Sequence, residues 1–128
     1  MRSAFPISLF FILSFMQCNM PNVTDDPALV SSLRFSPSAF DSFRRNTELK
    51  YTLKNPSEVS IYIMKKDSLQ NDLLVKTLVE NASETKGTHS TTWLGETNQR
   101  YFAPVGIYFG VLKIGSRRFE TSVQVFHF

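Results

Sequence analysis

The chain has 128 residues, of which 42% are hydrophobic and 20% are charged, which suits one compact domain and excludes two ordinary ones. Its formal net charge is +3, from 14 Lys and Arg against 11 Asp and Glu spread without long runs, so no nucleic-acid surface is predicted. With 1 Cys and 2 His, the composition excludes an intramolecular disulfide framework and every four-Cys zinc site, and it predicts neither a metal nor a cofactor.

Residues 1–17 have the features of a signal peptide. Arg2 supplies a positive charge, and the apolar stretch Ala4–Met16 has the length of a signal-peptide core, shorter than the ~20 residues of a membrane-spanning helix. The only cysteine, Cys18, follows where bacterial lipoproteins carry their acylated residue, and Phe15-Met16-Gln17-Cys18 resembles that signal. We therefore expect lipid on Cys18 and attachment to a membrane. The alternative is a free cysteine within a signal peptide of another kind.

Residues 18–28 are polar and poorly periodic, which predicts a lipidated tether, and the folded domain is expected over residues 29–128. Asp25 and Asp26 lie in this tether, where general acid–base catalysis would lack dry and fixed surroundings. The chain contains no glycine-rich phosphate loop and no hydrolase or metalloprotease signature. A non-enzymatic protein without a small-molecule substrate is therefore predicted.

Beyond the tether, apolar residues recur with a period of two, which predicts β-strands with one buried and one exposed face. Two such runs, 49–53 and 59–63, are separated by Asn55-Pro56-Ser57, which predicts a turn. The segment 73–79 is compatible with a strand or with one helical turn. Another strand is predicted over 87–93, where Ser and Thr disfavour a helix. Short strands without a helical stripe predict an all-β antiparallel sandwich.

The last two strands are predicted to form a hairpin. Gly115-Ser116 is a two-residue loop of the Gly-X type, whose twist matches that of paired strands. Pairing of Ile114 with Arg117 then places Leu112 opposite Phe119, Tyr108 opposite Val123, Val111 opposite Glu120 and Phe109 opposite Ser122. The first two of these four pairs are apolar and predict the core side, whereas the opposite face mixes polar and charged residues with two apolar ones.

Two motifs in the second half of the chain are more specific than the strand pattern. They are Gly87-Thr-His-Ser-Thr-Thr-Trp93-Leu-Gly95 and Ala103-Pro-Val-Gly106-Ile-Tyr108-Phe109, preceded by the segments Leu33–Phe40, Thr47–Leu53 and Val59–Ile63. Together they resemble the immunoglobulin-like domain of the flagellar hook-capping protein and related modules of secreted bacterial proteins. The family has Asp where this chain has Leu94, and it has a glycine that residues 99–102 lack. The resemblance implies an immunoglobulin-like or fibronectin type III-like antiparallel β-sandwich of about seven strands, without catalytic residues, used as a spacer or interaction module.

The strand phases and motifs predict which residues form the core. Trp93 is expected to be buried with its indole N–H bonded, Tyr108 to be buried with its hydroxyl bonded, and Gly106 to have a positive φ or a close neighbour. His89 is expected at the surface or at a sheet edge, and no metal site shared with His127 is predicted. The predicted structural core comprises Leu49, Tyr51, Leu53, Ile61, Trp93, Gly106, Tyr108, Leu112, Phe119 and Val123.

The remaining apolar residues predict a binding face. In an immunoglobulin-like sandwich the third, sixth and seventh strands share one sheet. The outer face of that sheet is expected to carry Tyr62, Met64, Phe109, Val111 and Phe126. A contiguous exposed patch of this kind marks a partner site. The alternative is that the segment 73–79, or the chain before Leu33, covers it.

These expectations predict a lipid-anchored interaction or structural module of a bacterial cell envelope, facing the periplasm or the outside. Its expected partners are the membrane, through acylated Cys18, and another envelope protein, bound through a sheet face or loops. The rival interpretation is a carbohydrate-binding sandwich at the cell surface, with Tyr62, Tyr101, Phe102 and Phe109 as stacking platforms.

Overall fold

A computed structural model describes residues 29–127, which form eight β-strands and no helix. The strands are β1 (Val30–Ser36), β2 (Ala39–Asp41), β3 (Thr47–Leu53), β4 (Ser57–Lys66), β5 (Asp72–Glu84), β6 (Gly87–Trp93), β7 (Gly106–Ile114) and β8 (Arg117–Phe126). They confirm the predicted all-β sandwich, with eight strands in place of about seven. The predicted signal peptide, the tether with Cys18, Asp25 and Asp26, and Phe128 lie outside the described residues.

The strands form a three-stranded sheet, in the order β1-β3-β6, and a five-stranded sheet, in the order β2-β8-β7-β4-β5. The pairing is antiparallel as predicted, except that β2 pairs in parallel with the end of β8. The chain passes from β1 to β2 through a cis Ser36–Pro37 peptide bond. One N-terminal segment is therefore hydrogen-bonded to both sheets. It starts at Val30, which pairs with Leu53 at the far end of β3.

The hairpin of β7 and β8 has the predicted register in every pair. Ile114 lies opposite Arg117, Leu112 opposite Phe119, Val111 opposite Glu120, Phe109 opposite Ser122 and Tyr108 opposite Val123. Gly115 has a φ of 60°, as expected for the first residue of a Gly-X loop. The turn type and the apolar face therefore specify the same register.

The segment 73–79 belongs to β5, so the strand alternative is confirmed and the helical turn is wrong. Strand β5 forms an edge of the five-stranded sheet. Its pairing with β4 is irregular on either side of Ile61 and again after Ile63. Such irregularities interrupt the alternation of faces and increase the local twist of a strand pair.

The core fills the space between the sheets with alternate residues of their strands. Nine residues predicted for it are at most 1% exposed: Leu49, Tyr51, Leu53, Ile61, Trp93, Tyr108, Leu112, Phe119 and Val123. Gly106, also predicted for the core, is only partly buried because it is the first residue of β7. Its φ is 156°, and a Cβ atom there would meet nothing within 4 Å. A residue with a side chain would therefore be disfavoured here by the backbone conformation and not by a clash with a neighbour.

Trp93 lies at the centre of an aromatic group at one end of the core. Its ring lies edge-on to Phe40 and Tyr108, with centroid distances of 5.6 and 5.4 Å. Its Nε1 donates a hydrogen bond to the carbonyl of Glu96 (2.9 Å), and the Tyr108 hydroxyl donates to the carbonyl of Pro104. Both polar groups are satisfied, as predicted for buried aromatic side chains.

Two buried tyrosines are expected to make the fold sensitive to alkaline pH. Burial raises the pKa of Tyr51 and of Tyr108 above the ordinary 10.0, and for Tyr51 the hydrogen bond to Glu84 and the charge of that carboxylate raise the pKa further. The folded state therefore favours the neutral phenols, so this stabilisation is fully present below pH 10.0 and is lost as pH rises above it. We expect the Tm to fall in this range, and to fall less steeply for Tyr51→Phe. Thermal unfolding followed by circular dichroism checks this, and equal slopes for both proteins would contradict it.

Candidate functional site

The predicted binding face lies on the outer side of the five-stranded sheet. Tyr62 is directly opposite Val111, and Met64 is directly opposite Phe109, so the strands bring these residues together as predicted. Val111, however, is 0% exposed, and Tyr62, Met64, Phe109 and Phe126 are each only partly exposed. Val111 is therefore covered on the outer face, outside the core between the sheets, and is not part of a contact surface.

Lysine side chains lie over the aromatic residues of this face. Lys66 Nζ is 5.8 Å from the centroid of the Phe109 ring, and Lys113 Nζ is 5.8 Å from the centroid of the Tyr62 ring. At this distance the cation is attracted by the negative face of the ring. The apolar surface that the sequence predicts here is thus partly covered by charge.

An ionic network crosses the same face. Asp72, the first residue of β5, accepts a hydrogen bond from Lys66 and forms an ion pair with Arg118 (2.6 Å), which also lies 3.8 Å from Glu120. The two hydrogen bonds and the two positive charges lower the pKa of Asp72 below its ordinary value. The first residue of β5 therefore contributes charge to this face, whereas the alternative interpretation expected the segment 73–79 or the chain before Leu33 to cover it.

Exposed apolar side chains gather at one end of the sandwich. They lie in the loop 42–46, between β2 and β3, and in the loop 94–105, between β6 and β7. Residues of both loops line a groove of about 350 Å³. We call its arginine and large apolar lining residues the loop-end patch, which comprises Phe43, Arg44, Arg45, Leu94, Arg100 and Phe102; Glu96 also lines the groove.

The aromatic residues of the two loops are in contact. The Phe43 ring lies edge-to-face with Phe102, with a centroid distance of 4.6 Å, and stacks on His127 at 3.8 Å. The Nε2 atom of His127 is 2.8 Å from the hydroxyl of Ser42. Phe43 nevertheless remains 52% exposed and Phe102 57% exposed. These rings are therefore held in place while most of their surface still faces water.

Asp41 shapes the loop 42–46. Its backbone carbonyl accepts hydrogen bonds from the backbone N–H groups of Arg44 (3.0 Å) and Arg45 (2.8 Å), and its Oδ1 accepts one from the N–H of Phe43 (3.0 Å). This turn directs Phe43 and both arginines outward. The Asp41 side chain is buried, and its Oδ2 has no hydrogen-bond donor in the described part of the chain, although Arg44 Nε is 3.7 Å away.

The loop 94–105 folds into a small hairpin of its own. Glu96 and Phe102 form an isolated antiparallel bridge, the N–H of Thr97 donates to the carbonyl of Tyr101 (2.8 Å), and the N–H of Arg100 donates to the carbonyl of Thr97 (2.9 Å). Arg100 has a φ of 69°, a left-handed conformation that glycine adopts more readily. The turn therefore forms without the glycine that the family pattern has here.

Gly95 holds the two loops against each other. It has a φ of 77°, and a Cβ atom at this position would be 2.4 Å from Cβ of Ser42 and 3.1 Å from the ring of Phe40. The absence of a side chain lets the loop 94–105 approach the loop 42–46 closely enough for their aromatic residues to touch.

The loop-end patch has an excess of positive charge. Arg45 and Arg100 have no ion-pair partner among residues 29–127, whereas Arg44 lies near Asp41. The one carboxylate that lines the groove, Glu96, is 3.0 Å from Lys76 outside it. Two guanidinium groups are therefore available to an external ligand.

The residues predicted as sugar-stacking platforms are divided between two surfaces. Tyr101 is 72% exposed and lies next to Phe102 in the loop 94–105, whereas Tyr62 and Phe109 lie on the sheet face beneath lysines. The four residues therefore do not form one stacking platform. The patch also contains residues that the sequence interpretation missed, namely Phe43, Arg44, Arg45, Leu94 and Arg100. An available signal was the sequence Phe43-Arg44-Arg45 in a segment between two strands, where no strand phase requires a phenylalanine.

The histidines and acidic residues do not assemble a metal site in the part of the chain that the structure describes. His89 lies on the edge strand β6, where its ring stacks on Tyr51 at 5.6 Å and its Nε2 is 2.7 Å from the carbonyl of Thr85. This edge position agrees with the prediction. Between residues 29 and 127 no helix has the length and apolar character needed to cross a membrane.

Comparison with known proteins adds no support for the family resemblance described above. The resemblance to the immunoglobulin-like domain of the hook-capping protein therefore stays a prediction from the motifs that carry it. No family model matches the chain, and no curated protein and no solved structure matches it either.

Proposed function

We propose that the chain is a non-enzymatic, lipid-anchored interaction module of a bacterial cell envelope that binds another protein through the loop-end patch. The observation that carries the proposal is the exposure of Phe43, Leu94 and Phe102, which are 52%, 52% and 57% exposed around one groove. Exposed apolar side chains that gather on one surface, unlike scattered ones, are typical of partner sites.

The rigidity of the two loops supports this function. Asp41 accepts three backbone hydrogen bonds within one turn, and the loop 94–105 is closed by its own backbone pairing. Side chains that are already ordered lose little conformational entropy when a partner binds, so more of the contact energy contributes to affinity. Phenylalanine and arginine are also residue types that protein interfaces favour.

A carbohydrate-binding module is the second candidate, and the exposure of Tyr101 (72%) next to Phe102 favours it. An exposed aromatic ring can stack on the apolar face of a sugar. Saturable binding of cell-wall or host glycans, lost in Tyr101→Ala and in Phe102→Ala, would favour this candidate over protein binding. Retention of glycan binding in both variants would show that neither residue contributes to a sugar site.

Site-specific crosslinking in intact cells tests the proposed function. A photo-reactive phenylalanine analogue replaces Tyr101, beside the patch, or Ser116, which is exposed in the turn at the opposite end of β7. Ser116 is in the β7–β8 turn, whereas Tyr101 is in the loop 94–105 that precedes β7. We expect a discrete protein adduct at Tyr101 and none at Ser116. The same adducts at both positions, or no protein adduct at Tyr101, would contradict the proposal.

The membrane anchor has its own test. We expect Cys18→Ser to release the protein from the membrane fraction, because a lipidated cysteine would be its anchor. Ser14→Ala, a small change within the same leader segment, serves as the control and is expected to stay with membranes. Unchanged membrane retention of Cys18→Ser, measured by fractionation and immunoblotting, would overturn the anchor.

A further inference from the structure

We infer that the loop-end patch recognises an acidic segment of the partner polypeptide, in which carboxylates flank an apolar side chain. This inference rests on the proposed function and specifies the chemistry of the same site. Charge complementarity is its first argument. Arg45 and Arg100 line the groove without an ion-pair partner among residues 29–127, and Glu96, which also lines it, is paired with Lys76.

The charge of Asp41 does not cancel this excess. Its carboxylate lies 3.7 Å from Arg44 and offsets the charge of that arginine, which leaves two arginines of the patch without a carboxylate partner in the described chain. Arg45 and Arg100 therefore supply the charge that a ligand meets. A guanidinium group presents paired N–H donors whose spacing matches the two oxygens of a carboxylate, which makes an aspartate or glutamate side chain a suitable ligand.

The shape of the surface indicates an extended segment. The groove between the loops adjoins a second hollow of about 500 Å³, and Arg44 and Arg45 line both of them. Apolar side chains line each hollow, with Phe43, Leu94 and Phe102 in the groove and Pro37, Ala39, Phe40 and Phe126 in the second hollow, which Asp41 also lines beside Arg44 and Arg45. A segment that crosses the arginines can therefore place apolar side chains on one or both sides of its carboxylates.

The lining favours a polypeptide over a glycan. Sugar hydroxyl groups both donate and accept hydrogen bonds, so a sugar site needs acceptors as well as donors. The three arginines of the groove are donors only, Glu96 is paired with Lys76, and the Ser42 hydroxyl is hydrogen-bonded to His127, which leaves Asn46 as the one neutral polar side chain without a described partner. Apolar surface beside arginine is complementary to an acidic peptide with a leucine or an aromatic residue.

The test is selection of random heptapeptides, displayed on phage, on the full chain in detergent. We expect the selected peptides to be enriched in Asp and Glu next to Leu, Phe or Trp. Replacing any one acidic residue of a selected peptide by its amide is expected to weaken its binding up to about fivefold at low salt, because one lost pair contributes up to about 1 kcal/mol. The difference in affinity between the acidic peptide and its amide variant should shrink as the salt concentration rises.

Single variants locate the interaction. Arg45→Ala and Arg100→Ala are each expected to weaken the selected peptide about threefold to fivefold in fluorescence anisotropy. Arg34→Ala is the matched control and is expected to leave binding unchanged. Arg34 is exposed on β1 of the three-stranded sheet and does not line the groove.

Three outcomes would overturn the inference: selected peptides without acidic enrichment, binding that Arg34→Ala weakens as much as Arg45→Ala, or binding of an acidic polysaccharide but no peptide. The crosslink at Tyr101 separates these failures from failure of the proposed function. A protein adduct there combined with neutral selected peptides would mean that the patch binds protein through other chemistry.

Discussion

Trp93→Ala is expected to destabilise the protein by about 3–5 kcal/mol, the range for removing a large aromatic side chain from a packed core. Trp93 is 0% exposed and contacts Phe40 and Tyr108, so its removal leaves a cavity bounded by two aromatic rings. It also removes the hydrogen bond to the carbonyl of Glu96, at the start of the loop that carries part of the patch. Urea unfolding followed by circular dichroism measures the loss, because the only tryptophan is no longer present for fluorescence.

The neighbouring residue provides the control for this substitution. Leu94 is 52% exposed, and Leu94→Ala is expected to change the free energy of unfolding by less than about 0.5 kcal/mol, as is usual for surface positions. The two substituted positions are adjacent in the sequence, and the losses in the free energy of unfolding are expected to differ several-fold. A loss below about 1 kcal/mol for Trp93→Ala would show that Trp93 does not hold this end of the core together.

Gly95→Ala is expected to cost about 2–4 kcal/mol and to weaken partner binding as well. A left-handed φ of 77° costs a residue with a Cβ about 1 kcal/mol or more, and the added methyl group would lie 2.4 Å from Cβ of Ser42. Relieving an overlap of this kind adds about 1–3 kcal/mol. Because the overlap separates the two loops, the contact between Phe43 and Phe102 is expected to loosen together with the fold.

Gly115→Ala isolates the backbone contribution. Gly115 also has a left-handed φ, of 60°, but a Cβ atom there would have no neighbour within 4 Å. Its substitution is expected to cost about 1 kcal/mol and to leave the patch unchanged. The difference between the two variants in denaturant unfolding therefore measures the steric part at Gly95. Equal costs would mean that the loops move apart freely and that Gly95 does not fix their spacing.

The regular part of the fold could be predicted from the sequence because short-range rules specify it. The hairpin register followed from a two-residue loop and from the pairing of Leu112 with Phe119 and Tyr108 with Val123. The buried residues followed from the period of two along β3, β4 and β7. Strand β2 could not be found in this way, because three residues show no periodicity and their pairing with β8 is parallel.

The candidate site could not be predicted because long-range contacts create it. The cover of the predicted binding face depends on Arg118 reaching Asp72 on β5, which two other strands separate from β8 in the sheet order and which is remote in sequence. The loop-end patch depends on Gly95 placing one loop against Ser42 of another. Phe102 was predicted as an exposed stacking residue, but neither loop has a repeating pattern, so its contact with Phe43 could not be predicted.

The position of the first strand determines which way the module would point. Val30 begins β1 opposite Leu53, the last residue of β3, whereas the loop-end patch adjoins Thr47, the first residue of β3. The chain thus enters the sandwich about 20 Å from the patch along the long axis of the strands. Attachment to a lipid surface ahead of residue 29 would therefore leave the arginines and phenylalanines at the end of the module remote from the attachment point, within reach of molecules beyond the bilayer.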